Sequence, residues 1–416
     1  MNKKSVIILW VIAIALGISV AILSSKKSDS GKANTARARG ETLLASFPGA
    51  NVSKLVISSA TNTVTMDKNG NDWTIAEREN YPAKITNINA LIRAIGEVKI
   101  NNAIEAGPSY AKRFGVDVEA KVAEQHGRLI EMSDASGKNI ASIVIGKESE
   151  SGGLFIRNMA DETGIYVTNE PFPTATAEAK DWLDDEFIKV EKITSVGISP
   201  AGKPEETEWK LTRSDENAEF TLDGLKAGET INATNTSAIK SLLGYARFQD
   251  VISKSKLEAH QKAADLRKLT ISTKDGFTYT VMLSAKPNVA PPSALANAQE
   301  SSAPPEDAYF MTVAVTADIK KERQKEKEEK PEDAKVKDDA HAAAVKKLEE
   351  KLATEKAYEG QLYEVSKYLI DAVLKPRSEF ITQAPVVGET PPAGLNPGRI
   401  EATTPPISVD GTGIGQ

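Results

Sequence analysis

The sequence predicts an α+β fold, in which an N-terminal transmembrane helix precedes two tandem repeats, each an antiparallel sheet with a packed helix. Three observations predict it. An uncharged apolar run fills residues 5–23. A series of alternating strands, a turn and an amphipathic helix occupies residues 52–104 and recurs from about Ile193. The turn residues between the strands are spaced as in an antiparallel meander.

After a tail at residues 1–4, the run Ser5 to Leu23 carries no charged side chain. As a helix it spans roughly 28 Å, close to the hydrocarbon thickness of a bilayer. Lys3 and Lys4 precede it and Lys26 and Lys27 follow it. Its length and basic C-terminal flank favour an uncleaved anchor, so membrane lipid is an expected partner of residues 5–23. The competing reading is a signal peptide cut near Ser19-Val20-Ala21. Lys and Arg counts alone would keep the body in the cytoplasm. A short tail running straight into an apolar helix is instead the form of an export signal. The expectation is a single pass through the inner membrane with the body outside the cytoplasm. Residues 24–46 are polar and small and read as a flexible tether.

The first repeat is placed at residues 47–190. Leu55 and Ile57, then Val64 and Met66, alternate as in two strands. Asn69-Gly70 marks a hairpin leading to Trp73-Thr74-Ile75. The acidic loop Asp67 to Asp72 reads as a plain turn, because its glycine does not fall where a calcium loop needs it. Ile88, Leu91, Ile92 and Ile95 form one face of a helix capped at Thr86-Asn87. Further strands follow at Leu129–Met132, Ile143–Ile145, Leu154–Ile156 and Ile165–Val167. A short helix at Asp181–Asp185 closes the repeat.

The order Tyr110, Phe114-Gly115-Val116-Asp117, the Asp134 to Lys138 turn, Ile145-Gly146-Lys147, Gly152-Gly153, Tyr166-Val167 and Trp182-Leu183 resembles a bacterial family of unknown function. Its members typically carry one N-terminal membrane helix and a repeated α+β body. Some are encoded near auxiliary proteins of gliding-motility-type ABC transporters. The resemblance covers the first repeat best. It implies a fold and a protein partner in an envelope, transporter-like complex, and carries over no catalytic residue.

The second repeat is placed at residues 191–377. Val196-Gly197-Ile198 and Trp209-Lys210-Leu211 repeat the first strands, with Trp209 matching Trp73. Thr221 to Leu225 reads as an extra hairpin. A helix carrying Ile239, Leu242, Leu243 and Ala246 is capped at Asn235, Thr236 or Ser237. No counterpart of Phe-Gly-Val-Asp exists here, and Leu257 to Leu266 reads as a short helix. Two insertions enlarge the repeat. Residues 285–307 form a Pro/Ala-rich loop. Residues 319–356 form a charged helical arm, broken in two by Pro331, with a thin apolar stripe at Val345, Leu348 and Leu352. Residues 378–416 read as a disordered Pro/Gly-rich tail.

Candidate chemistry is sparse. The chain has no cysteine, which excludes disulfides, thiolate nucleophiles and zinc-thiolate sites. A net charge of −6 argues against a nucleic-acid partner. The three histidines, His126, His260 and His341, are far apart and lack ligand spacing. They read as surface residues, with His126 and His260 at equivalent positions ahead of a strand. Gly146-Lys147 is no phosphate loop. The densest acidic group is Asp181, Asp184, Asp185 and Glu186. It reads as charge at a helix start, with Trp182 and Leu183 packing inward. Trp73 and Trp209 read as core anchors. No catalytic, cofactor or metal residue is assigned. The expected function is a non-enzymatic binding or scaffolding protein of the bacterial envelope, auxiliary to an ABC-type transporter. The alternatives are an envelope hydrolase using paired carboxylates and a cell-wall or polysaccharide-binding module.

Overall fold

Strict alternation of apolar residues builds the first sheet. In β1 (Lys54–Ser58) Leu55 and Ile57 are fully buried, and β2 (Thr63–Asn69) buries Val64 and Met66. The computed structural model describes residues 37–104, 108–150, 152–161, 164–287, 307–324 and 330–383. The predicted tail, the membrane run 5–23, most of the tether, most of the Pro/Ala-rich loop and residues 384–416 lie outside the described residues. Among the described residues no helix is long and apolar enough to cross a membrane.

After β2 come β3 (Asp72–Ile75), β4 (Tyr81–Pro82), α1 (Ile85–Glu97), β5 (Asn102–Ile104), the short α2 (Ala111–Phe114), β6 (Arg128–Ser133), β7 (Asn139–Glu148), β8 (Leu154–Asn158) and β9 (Ile165–Thr168). They form one sheet in the order β4-β3-β2-β1-β6-β7-β8-β9-β5. The β2–β3 turn centres on Gly70, whose φ of 64° suits glycine. α1 lays Ile88, Leu91 and Ile95 on the sheet, as the spacing predicts. It starts earlier than predicted, because the Lys84 amide already donates to the Trp182 carbonyl and fixes the chain there. Thr86 and Asn87 therefore sit within its first turn and cap nothing.

The second sheet takes in β10 (Ile193–Ile198), β11 (Trp209–Thr212) and β12 (Thr221–Leu222). β13 (Glu229–Ile231) and α3 (Ala233–Ser237) follow, then β14 (Asp250–Ile252), α4 (Leu257–Gln261), β15 (Arg267–Thr273), β16 (Phe277–Ala285), β17 (Ala308–Ala317), α5 (Pro331–Lys356), β18 (Leu362–Ser366), α6 (Asp371–Leu374) and β19 (Ile381–Gln383). Its order is β12-β11-β10-β15-β16-β17-β18-β14. With β4 set aside, the two orders correspond position by position.

Several expectations need correction. Trp73 lies on β3, two strands from β1, whereas Trp209 lies on β11 and pairs directly with β10. The two tryptophans are therefore not equivalent, although both are core residues, 3% and 2% exposed. Thr221-Leu222 is no extra hairpin but the outer strand on β11. α3 is capped by Asn232, whose side chain accepts from the Thr234 and Asn235 amides, and it tightens into a 3-10 turn at Ala238–Ser241. Pro331 begins the arm helix instead of dividing it, and residues 319–324 ahead of it are not helical. It stands in the first turn of α5, where its missing N–H costs nothing. Residues 378–383 are not tail, since Phe380 is fully buried and β19 pairs with β13. The tether ends early too. Leu43 is fully buried, and Gly40 and Leu43 donate backbone hydrogen bonds to Ile100 and Val98.

The segment joining the sheets is core, not linker. Trp182, Leu183, Phe187, Ile188 and Val190 are all buried, and one contiguous apolar cluster runs through both sheets. The outer strands β4 and β14 meet there through an aromatic seam. Phe187 stands 4.6 Å from Tyr363, 5.3 Å from Tyr358 and 5.6 Å from Phe248, centroid to centroid. Tyr81 meets Phe248 edge-on at 5.5 Å. Outside the rings, Arg78 makes a bidentate pair with Asp250, at 2.6 and 2.9 Å. Glu79 accepts from the Lys254 amide at 2.8 Å. The joining segment takes up the end of the β4 edge, where the Asp184 amide donates to the Pro82 carbonyl and the Lys84 amide to that of Trp182.

Burial, the largest cause in each case, raises the pKa of Tyr81, Tyr279 and Tyr363 well above the ordinary phenol value. In the unfolded chain these phenols ionise near pH 10 while the folded protein keeps its protons. Their contribution is therefore complete below about pH 10 and is lost as pH rises above it. Three such groups approach a slope of about −4 kcal/mol per pH unit only above about pH 11, and the fall between pH 9 and pH 11 totals about 4 kcal/mol. Urea unfolding between pH 9 and pH 11 should show this fall, and Tyr81→Phe should remove about a third of it.

Candidate functional site

The acidic group predicted near residue 181 is dispersed by the chain that carries it. Ala179–Trp182 is a single 3-10 turn, so Asp184, Asp185 and Glu186 follow its end instead of lining its start. Trp182 and Leu183 do pack inward, and the indole N–H donates to the Thr176 carbonyl at 2.9 Å. Asp185 bridges the two halves, paired with Lys84 at 2.9 Å and Arg247 at 2.8 Å. Those two cations outweigh the opposing effect of burial and hold its carboxyl below the ordinary value. Asp184 and Glu186 line an open groove of about 660 Å³ with Asp72, Lys84 and Thr86. Among the described residues no group of three or more His, Asp or Glu is arranged to hold a metal ion.

The histidines part company. His260 is buried, not on the surface, and its Nδ1 lies 2.8 Å from the Ser284 hydroxyl. Burial lowers its pKa. It sits on α4, seven residues before β15, whereas His126 lies two residues before β6 in a bridge with Asp117. The two are not equivalent. His341 lies on α5 and meets the Lys320 carbonyl at 3.2 Å.

The charged arm is fixed to the body by a residue that sequence reasoning passed over. Leu348 and Leu352 pack on the core, and Glu355 continues the same helix face one turn on. Its side chain is 5% exposed. It accepts from the Tyr279 hydroxyl and the Lys189 amide, each at 2.8 Å, and from the Lys351 ammonium. Lys351 also stands 5.5 Å from the centre of the Phe277 ring. The signal was present in the spacing 348, 352, 355, but a glutamate among charged residues does not announce burial. Further out, the incoming chain braces the helix, with Arg323 paired to Asp338 at 2.8 Å. Val336 is 69% exposed.

A second surface feature was not legible at all. Leu243 is buried with φ of 55°, a conformation that costs a branched residue on the order of 1–3 kcal/mol. The turn it makes throws Tyr245 into solvent, 89% exposed. Tyr368, 88% exposed, stands on the same open groove of about 460 Å³. Leu242, Leu369 and Ala372 supply apolar lining, and Ser241, Asp371 and Lys375 supply polar groups.

With this geometry in place, the comparisons add one finding. The model of a domain of unknown function, DUF4340, matches residues 73–270, from β3 in the first sheet to β15 in the second. The match agrees with the resemblance to a family of unknown function. No curated protein and no solved structure matches the chain.

Replacing Glu355 by alanine strands the Tyr279 hydroxyl and the Lys189 amide and leaves the Lys351 ammonium with the Lys189 carbonyl but no counter-charge. Glu355→Ala should lower the unfolding free energy by about 3–5 kcal/mol. Lys346→Ala, which breaks only an exposed pair with Glu350, should cost under about 1 kcal/mol. Urea titration of both variants measures the difference.

Proposed function

We propose that the protein is a membrane-anchored, non-enzymatic binding or scaffolding protein of the bacterial envelope. On this reading residues 5–23 lie in the inner membrane and the body stands outside the cytoplasm. The two sheets are tandem copies of one unit, a view supported by their corresponding strand orders. The partner is a protein of a transporter-like complex, the kind of assembly suggested by the gliding-motility setting of the resembled family.

The observation that carries the proposal is the arm. α5 is 26 residues long, and only its C-terminal part touches the core. A helix that contributes so little to the core and is nevertheless held in a fixed direction, by Glu355 at its base and Arg323 along its side, offers surface to a partner. Its mixed charge suits a polar, specific contact more than membrane burial. Removing residues 321–346 shortens the arm and keeps Leu348, Leu352 and Glu355 in place. The shortened protein should fold as before, and crosslinking in native membranes should lose the neighbour that the full chain captures. An unchanged set of neighbours would remove the arm from the account.

The groove between Tyr245 and Tyr368 favours a second reading, a passive module for cell-wall polysaccharide. Two exposed phenol rings beside polar groups suit stacking against sugar rings. Co-sedimentation with purified cell-wall material should then fall at least about fivefold in the double variant Tyr245→Ala, Tyr368→Ala. Sedimentation equal to that of the unaltered chain would dismiss this reading.

A further inference from the structure

The two glycine-bearing motifs of the first unit converge in space. Phe114-Gly115-Val116-Asp117 leaves α2 with Gly115 at φ of 65°. The Phe114 carbonyl then lies so close to β7 that a Cβ on Gly146 would collide with it. Val116 is fully buried in a small cluster with Val144 and Ile165 on this face of the sheet. Beside this contact is a cleft of about 370 Å³. Gly115, Gly146 and Ile145 line it, and His126, Arg128 and Lys147 bring polar groups to it. The one carboxylate in its lining belongs to Glu124, an exposed residue.

Arg128 is the group that asks for a ligand. It opens β6 opposite Ile145, and its Nη1 donates to the Ala175 carbonyl at 2.7 Å. Among the described residues no carboxylate pairs with it. Burial alone moves its pKa, downward, with no acid acting against that effect. Taking a cation out of water is costly unless a counter-charge replaces the lost hydration. Lys147 forms no ion pair among the described residues either, and His126 turns its Nδ1 to the Gly127 carbonyl at 2.6 Å. Two cations therefore share a cleft in a chain whose net charge is −6.

We propose that this cleft binds a phosphate group, held by the Arg128 guanidinium fork and the Lys147 ammonium. Arginine meets a phosphate through two parallel N–H bonds, and lysine adds a point charge. The volume leaves room for the group that carries the phosphate. That group is either a free phosphorylated small molecule or the headgroup of an anionic lipid.

The test uses the full chain in detergent. Inorganic phosphate is titrated against sodium chloride of equal ionic strength while the melting temperature is followed. The unaltered protein should show a saturable rise with phosphate. Arg128→Gln should weaken the response roughly tenfold or more, and Lys147→Gln should weaken it several-fold. General salt stabilisation would persist in both variants and is thereby separated. Short-chain phosphatidylglycerol and phosphatidylcholine, kept below their micellar concentrations, then distinguish the sources. A response to phosphatidylglycerol alone of the two lipids, lost in the variants, assigns a lipid headgroup. A response to phosphate without either lipid assigns a small phosphorylated ligand. No saturable phosphate response in the unaltered protein, or an undiminished one in Lys147→Gln, overturns the proposal, whatever the folding of Arg128→Gln.

Discussion

Tyr363 has no exposed surface and lies within reach of rings from three other segments, Tyr81, Phe187 and Phe248. The arrangement of the whole molecule depends on that seam. An antiparallel sheet leaves two unpaired edges, and exposed edges invite association with other chains. Here β4 of one sheet and β14 of the other are brought together, and large rings fill the space between them. Aromatic pairs in tilted and edge-on geometry add to the area they bury. The ring of polar contacts outside, Arg78 with Asp250 and Asp185 with Lys84 and Arg247, fixes the angle of approach more than it adds stability.

The seam also explains why the arm points where it does. Tyr358, just past the end of α5 and four residues before β18, contributes a ring to Phe187, and Glu355 lies one turn before it. The last turn of α5 is therefore part of the joint between the sheets. Its axis is set by the same contacts that set the sheets, and a shift at the joint would redirect the outer half of the helix. The groove flanked by Tyr245 and Tyr368 is coupled to the joint as well. The Leu243 carbonyl accepts from the Val190 amide in the connecting segment, and Phe248 follows Tyr245 by three residues.

Much of this fold could be read from residue pattern. Leu55, Ile57, Val64 and Met66 alternate and are buried; Ile88, Leu91 and Ile95 recur at helical spacing and face the core. What could not be read was any feature decided by contact between distant segments. Trp73 and Trp209 look alike because each stands near the start of a short strand with the same local pattern, yet their strands sit at different distances from the sheet centre. Asn235 is a good cap by type, but Asn232 is better placed because its neighbours follow the β13–β19 pairing. Ser378 to Gln383 has tail-like composition, and its pairing with β13 together with the burial of Phe380 makes it structure. His260 looked like a surface residue because nothing near it in sequence tells of Ser284. The exposed tyrosines were illegible for the opposite reason, since composition gives no sign that an aromatic residue will be left in water.

Two ions, Glu355 buried and Arg128 half-buried, show what distinguishes a structural charge from one that invites a ligand. Glu355 is nearly without solvent contact, yet a hydroxyl, an amide and an ammonium all donate to it. Its desolvation is answered within the fold, so nothing further needs to bind there. Arg128 is less deeply placed, and within the fold one carbonyl answers it while its other nitrogens keep access to solvent. The difference arises from position in the sheet. Glu355 lies where the second sheet, the joining segment and α5 close on one another, and each supplies a partner: Tyr279, Lys189 and Lys351. Arg128 lies at the end of β6, under a loop held down by glycines, where the chain leaves a cleft instead of a counter-charge. A fold that satisfies Glu355 from within, and gives Arg128 a single carbonyl at the wall of an open cleft, is the pattern expected when the second ion's further partner comes from outside the chain.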